Sequence, residues 1–187
     1  MNKKQLTMTL ILGALMLLLI FTQRFFENNF KEVALVNSNM GELKEYSTTD
    51  GEFIYSLPNT WSLKNLKSDN YDIYKAEFKD DNNNIMGYVE IINSNDDVNS
   101  LAQKDLDNMV LSHDKEKIDR YKSNDRKCIK VVYKTKVNKG YDFVNINYYI
   151  PLSEGKMGKI TFIVKENYYK DDMMIIFNSI VDEFIIK

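Results

Sequence analysis

The chain has 187 residues with a formal net charge of −2, 28% charged and 12% aromatic side chains, and a single cysteine. It is long enough for one domain with its own core, too rich in core formers to be disordered, and lacks the basic excess that drives nucleic-acid binding. Cys128 stands alone, which excludes an intramolecular disulfide, and it sits in an alternating apolar run where a buried, inert thiol is expected.

Leu6 to Thr22 is free of charge and follows Lys3 and Lys4. At roughly 17 residues it has the length of a short membrane-crossing helix. The residues behind it, Phe21-Thr22-Gln23-Arg24-Phe25-Phe26, offer neither the small-residue site a signal peptidase needs nor a cysteine for lipidation. The stretch therefore reads as an uncleaved anchor over residues 6–22. Lys3, Lys4 and the terminal amine outweigh Arg24, so residues 1–5 are expected in the cytoplasm and the C-terminal domain outside. The absence of disulfides and the abundance of Asn, Lys, Ile and Tyr are in keeping with the envelope of an AT-rich Gram-positive bacterium.

Residues 23–51 read as a juxtamembrane helix and linker, with Phe26, Phe30 and Val33 on one helical stripe. From Glu52 the apolar period changes to two. Strands are expected over Phe53–Leu57, Trp61–Leu66, Tyr71–Lys79 and Ile85–Asn93, the last two joined by the turn Asp80-Asp81-Asn82-Asn83-Asn84. Asn95, Asp96 and Asp97 offer an N-cap before Val98, Leu101, Leu106, Met109 and Val110, a helical spacing, so a helix is expected from Val98 to Leu111. Strands follow at Lys117–Tyr121, Lys127–Val137, Phe143–Ile150 and Gly158–Lys165, as an antiparallel meander turning at Asn138-Lys139-Gly140 and Ser153-Glu154-Gly155. Asp171-Asp172 open a closing helix, Met173 to Phe184, with Ile176, Phe177, Ile180, Val181 and Phe184 along one side. The class is α+β, an antiparallel sheet flanked by helices over residues 52–187.

Phe53-Ile54-Tyr55-Ser56-Leu57-Pro58-Asn59-Thr60-Trp61, a strand ending in Leu-Pro with Trp three residues after the proline, resembles the opening of PsbP-like domains. The likeness continues through an Asn-rich hairpin into Val89-Glu90-Ile91-Ile92, through Gly158-Lys159-Ile160-Thr161-Phe162, and into a closing helix carrying Ile180 to Phe184. Asp182-Glu183 depart from the family's closing pattern. The resemblance implies an antiparallel sheet between helices. It further implies a binding or assembly module rather than an enzyme, since the family includes a photosystem II extrinsic subunit, Ran-binding relatives and bacterial envelope proteins. Fold likeness alone does not transfer function.

An inventory of reactive groups points the same way. His113 is the only histidine and lies in the polar link Ser112-His113-Asp114-Lys115, where a solvated loop residue is expected. No phosphate loop or dinucleotide fingerprint occurs. The Asp80–Asn84 turn lacks the central glycine and final glutamate of an EF-hand and reads as a structural hairpin. No catalytic residue, metal ligand or cofactor is expected.

One surface pattern remains. With Ile129, Val131, Tyr133 and Val137 inward beside Val144, Ile146, Tyr148 and Ile150, the opposite sheet face would carry Lys130, Lys134, Lys136, Phe143, Asn145, Asn147, Lys159 and Lys165. That face would be polar and basic with aromatic patches, suited to an anionic envelope polymer, phospholipid headgroups or an acidic protein. The functional expectation is a membrane-tethered, extracytoplasmic, non-enzymatic module with an envelope protein as partner. The alternatives are a small-molecule or lipid-binding domain with an apolar pocket between sheet and helix and, in last place, an enzyme.

Overall fold

The computed structural model describes residue 5 and residues 8–22, 42–67, 72–137, 140–153 and 155–187. Residues 8–22 form helix α1. No helix among the described residues is long and apolar enough to cross a membrane. The expected stripe of Phe26, Phe30 and Val33 lies outside the described residues, as do Asn138, Lys139 and Glu154 of the expected turns.

The domain is α+β, with every strand pair antiparallel. Its strands are β1 (Leu43–Ser47), β2 (Phe53–Pro58), β3 (Ser62–Asn65), β4 (Asp72–Asp80), β5 (Ile85–Asn93), β6 (His113–Ser123), β7 (Arg126–Thr135), β8 (Phe143–Pro151), β9 (Lys156–Lys165) and β10 (Ile185–Ile186). Its helices are α2 (Val98–Asp107) and α3 (Met173–Asp182). A seven-stranded sheet runs β3-β4-β5-β9-β8-β7-β6 and a small one runs β1-β2-β10.

The main core forms because β4, β5, β8 and β9 each place alternate apolar residues on one sheet face. Tyr74, Ala76, Phe78, Val89, Ile91, Ile146, Tyr148, Ile160 and Phe162 are buried there. Phe53, Tyr55 and Leu57 of β2 and Ile176, Phe177, Ile180 and Val181 of α3 close over them. Phe177 stacks on Phe162 with ring centroids 4.1 Å apart. Aromatic rings therefore pack between the sheet and α3.

The Leu-Pro-Asn-Thr-Trp string is structural. Trp61 stacks on Phe78 at 5.2 Å, and its indole N–H donates to Asp80 Oδ2 at 3.0 Å. Asp80 is 3% exposed and also accepts from the Asn82 and Asn83 backbones and the Asn83 amide. One buried carboxylate thus ties the β4–β5 turn to the turn between β2 and β3, which accounts for the Asp-Asn cluster.

Four expectations are corrected. Residues 43–47, read as linker, form β1, because Leu43 and Tyr46 lean on the core and Tyr46 stacks on Tyr55 at 5.8 Å. Helix α2 stops at Asp107 rather than Leu111, since Asn108 returns its backbone N–H to Leu106 and Lys104, and Val110 points into solvent. Strand β6 is longer than the expected Lys117–Tyr121, with a register shift between Asp114 and Lys117, and it takes in His113. The two-residue β10 on β2 was not expected.

Gly87 is required by close approach. A Cβ there would lie 2.0 Å from the Thr161 carbonyl oxygen and 2.4 Å from the Phe78 ring. Its cross-strand partners are Phe78 and Phe162, whose strands flank it on either side. Gly87→Ala is expected to destabilise the domain by about 2 kcal/mol or more, through strain in a packed core. Urea unfolding of the purified protein checks this, and an unchanged midpoint would contradict it.

Candidate functional site: the sheet face beside helix α2

Directly paired residues of antiparallel strands share a face, so the register decides which expected site residues meet. Phe143 pairs with Thr135 and Lys165, Asn145 with Tyr133 and Ile163, and Asn147 with Val131 and Thr161. Tyr149 pairs with Ile129 and Lys159. Phe143, Asn145, Asn147, Lys159 and Lys165 therefore do share the face away from the main core. Lys130 and Lys134 do not, because they pair with Tyr148 and Val144 on the core face. Lys136 follows the end of β7 and pairs with Asp114 at 3.0 Å.

The expectation failed at β7. Ile129, Val131 and Tyr133 face away from the main core and form a second one with Leu101, Ala102 and Leu106 of α2, Tyr149 and Met157. Alternation shows which residues of β7 go together but not which sheet face they join. The apolar side had been assigned to the main core; α2 supplies an apolar cover for the other.

Helix α2 is seated by polar contacts as well as apolar ones. Asp97 caps it by accepting from the Asn99 and Ser100 backbones at 2.9 and 3.2 Å. Asp105 reaches down to the sheet, where the Tyr149 hydroxyl donates to it at 2.9 Å and the Lys159 ammonium also binds it. Asn145 and Asn147 are 5% and 4% exposed, buried rather than presented. The Asn145 amide donates to Thr135 Oγ1 at 3.0 Å and to the Phe143 carbonyl at 3.3 Å. The Asn147 amide donates toward the Tyr149 and Tyr133 hydroxyls at 3.4 and 3.5 Å.

Among the described residues, nothing covers the half of this face away from α2. It presents Met86, Tyr88, Phe143 and Ile163, all half-buried, with Tyr141 63% exposed beside them. At its end a hollow of about 180 Å³ is lined by Met86, Phe143, Ile163, Lys79, Asp81 and Lys165. The lysines are largely neutralised. Lys75 pairs with Glu90 at 2.6 Å, Lys79 with Glu77 at 3.0 Å, and Lys159 with Asp105. Lys165 lies over the Tyr141 ring at 4.7 Å. In place of the polar, basic face with aromatic patches expected from the lysines, this half is apolar and aromatic, with its lysines paired or stacked. Met86, Tyr88 and Ile163 were missed because each reads as the ordinary outward position of a strand. Only pairing across β5, β9 and β8 makes them one patch.

Elsewhere, Cys128 is 1% exposed and burial pushes its thiol pKa up, so it is neutral and shielded. His113 sits edge-on to the Tyr133 ring, with centroids 6.1 Å apart, and its Nδ1 lies 3.3 Å from the Leu111 carbonyl oxygen.

Comparison with known proteins tests the architecture. No protein-family model matches the chain, and no curated protein does. Solved structures do match. The cyanobacterial PsbP protein (CyanoP) of Synechocystis aligns with a TM-score of 0.57 at 13% identity, over 79% of this chain and 94% of that one. The fold is PsbP-like. The Ran-binding protein Mog1p of Saccharomyces cerevisiae aligns with a TM-score of 0.52 at 10% identity, over 78% of this chain and 96% of that one. A Bacteroides thetaiotaomicron protein aligns with a TM-score of 0.53 at 10% identity, over 79% of this chain and 49% of its own length. At these identities the likeness is one of fold.

The tyrosines on both faces make an alkaline prediction. Burial holds the phenols of Tyr55, Tyr121, Tyr148 and Tyr149 protonated well above their ordinary pKa; for Tyr121 and Tyr149, Asp182 and Asp105 add to the effect. The unfolded chain releases these protons near pH 10, before the folded one. Their contribution to stability is therefore complete below pH 10 and declines as pH rises above it. The urea midpoint should be level from neutrality to about pH 9.5 and fall steeply beyond; a midpoint still level at pH 11 would contradict the assignment.

Proposed function

We propose that the chain is a non-enzymatic protein-binding or assembly module, held at the membrane of a bacterial envelope by its N-terminal helix with the domain on the outer side. The observation that carries the binding role is the half-face left open by α2. Aromatic residues and methionine are what fully buried interface centres are enriched in, and unpaired lysine is what they lack. Met86, Tyr88, Tyr141, Phe143 and Ile163, ringed by lysines already paired or stacked, have that composition. The neutralised charge favours a protein over an anionic polymer.

Two further points support the reading. Met8, Leu10, Ile11, Leu12 and Leu15 through Phe21 are each more than half exposed on α1. That much contiguous apolar surface calls for a non-aqueous surrounding, and the charge-free sequence begins earlier, at Leu6. A tether also raises the effective concentration of any neighbour in the same membrane, so a modest interface suffices. The Mog1p structure is that of a Ran-binding protein, which supplies an analogy of fold.

The test is affinity capture of the full-length chain from chemically cross-linked membranes, in native form and as Phe143→Glu/Ile163→Glu. A charge at the centre of an interface costs about 2 kcal/mol or more, roughly thirty-fold in affinity. The native chain should recover a discrete partner that the double variant loses, while both share an unfolding midpoint within a few degrees. Recovery of the same proteins by both would overturn the assignment of this face.

A further inference from the structure

The two edges of the seven-stranded sheet differ. β3 is a four-residue edge, whereas β6 at the other side is eleven residues long and, among the described residues, pairs only with β7. Long edges invite pairing with another chain, and proteins often blunt them with charged side chains, lysine above all. β6 is charged, but its signs alternate around a single apolar residue, Lys117-Ile118-Asp119. Ile118 is 46% exposed.

The β6–β7 turn fixes which backbone groups are open. Asn124 and Asp125 have φ of 47° and 63°, the left-handed pair of a two-residue type I′ turn, and Ser123 pairs with Arg126 across it. Alternation from that closing pair directs the N–H and C=O of Tyr121, Asp119 and Lys117 to β7, and those of Lys122, Arg120 and Ile118 outward. A second copy of β6 laid antiparallel along this edge can centre its two-fold axis on Ile118, where each copy's N–H meets the other's C=O. Lys117 then stands opposite Asp119 of the second copy, and Asp119 opposite its Lys117, in the non-hydrogen-bonded positions where side chains approach closest. The same two residues already pair within one chain at 3.0 Å, so the axis gathers a ring of four alternating charges, with the two Ile118 side chains meeting on the opposite face. Centring on Arg120, the next open position, would set Ile118 against Lys122 and Asp119 against Tyr121, with neither gain. From these observations we infer that β6 is a self-recognition edge, through which two copies of this chain join their sheets into one continuous antiparallel sheet about an axis at Ile118.

The inference is independent of the partner face proposed above, which lies across the sheet around β5, β8 and β9. Site-directed disulfide formation in the full-length chain, in detergent, tests it. Across a hydrogen-bonded antiparallel pair the Cα atoms are about 5.5 Å apart, within disulfide range. Ile118→Cys should therefore give a covalent dimer under mild oxidation. Lys122→Cys places the thiols eight residue steps apart, about 26 Å, and should give none. The native chain, with only the buried Cys128, should also give none. Adding Asp119→Lys to Ile118→Cys sets lysine against lysine and should slow dimer formation about five- to thirty-fold; adding Lys117→Asp as well should restore it. Absence of the Ile118→Cys dimer, equal yields from Lys122→Cys, or failure of the charge exchange to restore the dimer would overturn the proposal.

Discussion

The register of β8 between β7 and β9 is the constraint on which the rest depends. β8 is buried on both faces over most of its length, so each of its side chains is committed to one of two cores. Ile146 and Tyr148 meet Phe162 and Ile160 beneath α3, while Asn145, Asn147 and Tyr149 meet Tyr133, Val131 and Ile129 on the side of α2. A slip of one residue would exchange these sets. Two amides would enter an aromatic core at a cost of about 1–3 kcal/mol each, and Tyr149 would lose Asp105. The hydrogen bonds of Asn145 to Thr135 and of Tyr149 to Asp105 are present only in the observed register.

From that register a division of labour follows. The face beneath α3 and β2 is closed by stacked rings and holds the larger core. The other face is shared. α2, capped by Asp97 and drawn down by Asp105, covers its β7–β8 portion, and the portion over β5 and β9 stays open. Because α2 is held to the sheet by its apolar side and by Asp105, the open half is bordered by a packed helix, which suits a preformed binding surface. Lys75, Lys79 and Lys159 are occupied by carboxylates of the same domain, so the apolar and aromatic groups are what the surface has to offer.

Much of the architecture was legible in the residues. Period-two runs in β4, β5, β8 and β9, the Asp97 cap, and the apolar side of α3 locate those elements because each signal is local and strong. The Leu-Pro and Trp61 string also pointed to the right fold, and its physical meaning is the bond from Trp61 to Asp80, 19 residues further along the chain. β1 was hidden because an exposed edge strand needs only two apolar contacts, Leu43 and Tyr46. The candidate site was half legible. Phe143, Lys159 and Lys165 lie on the face expected of them, but Lys130 and Lys134 do not, and the lysine-rich face proved neither basic nor uniformly exposed. Which face a strand's apolar side joins, and which carboxylate each lysine finds, depend on pairing across the sheet.

Photo-crosslinking from within the open half-face tests the central claim most directly. With a photoreactive residue at Met86 of the full-length chain in living cells, the account predicts a discrete adduct with a different protein. The same residue at Lys44, on the far edge strand β1, should give none. Equal labelling from both positions, or no adduct from Met86, would contradict it.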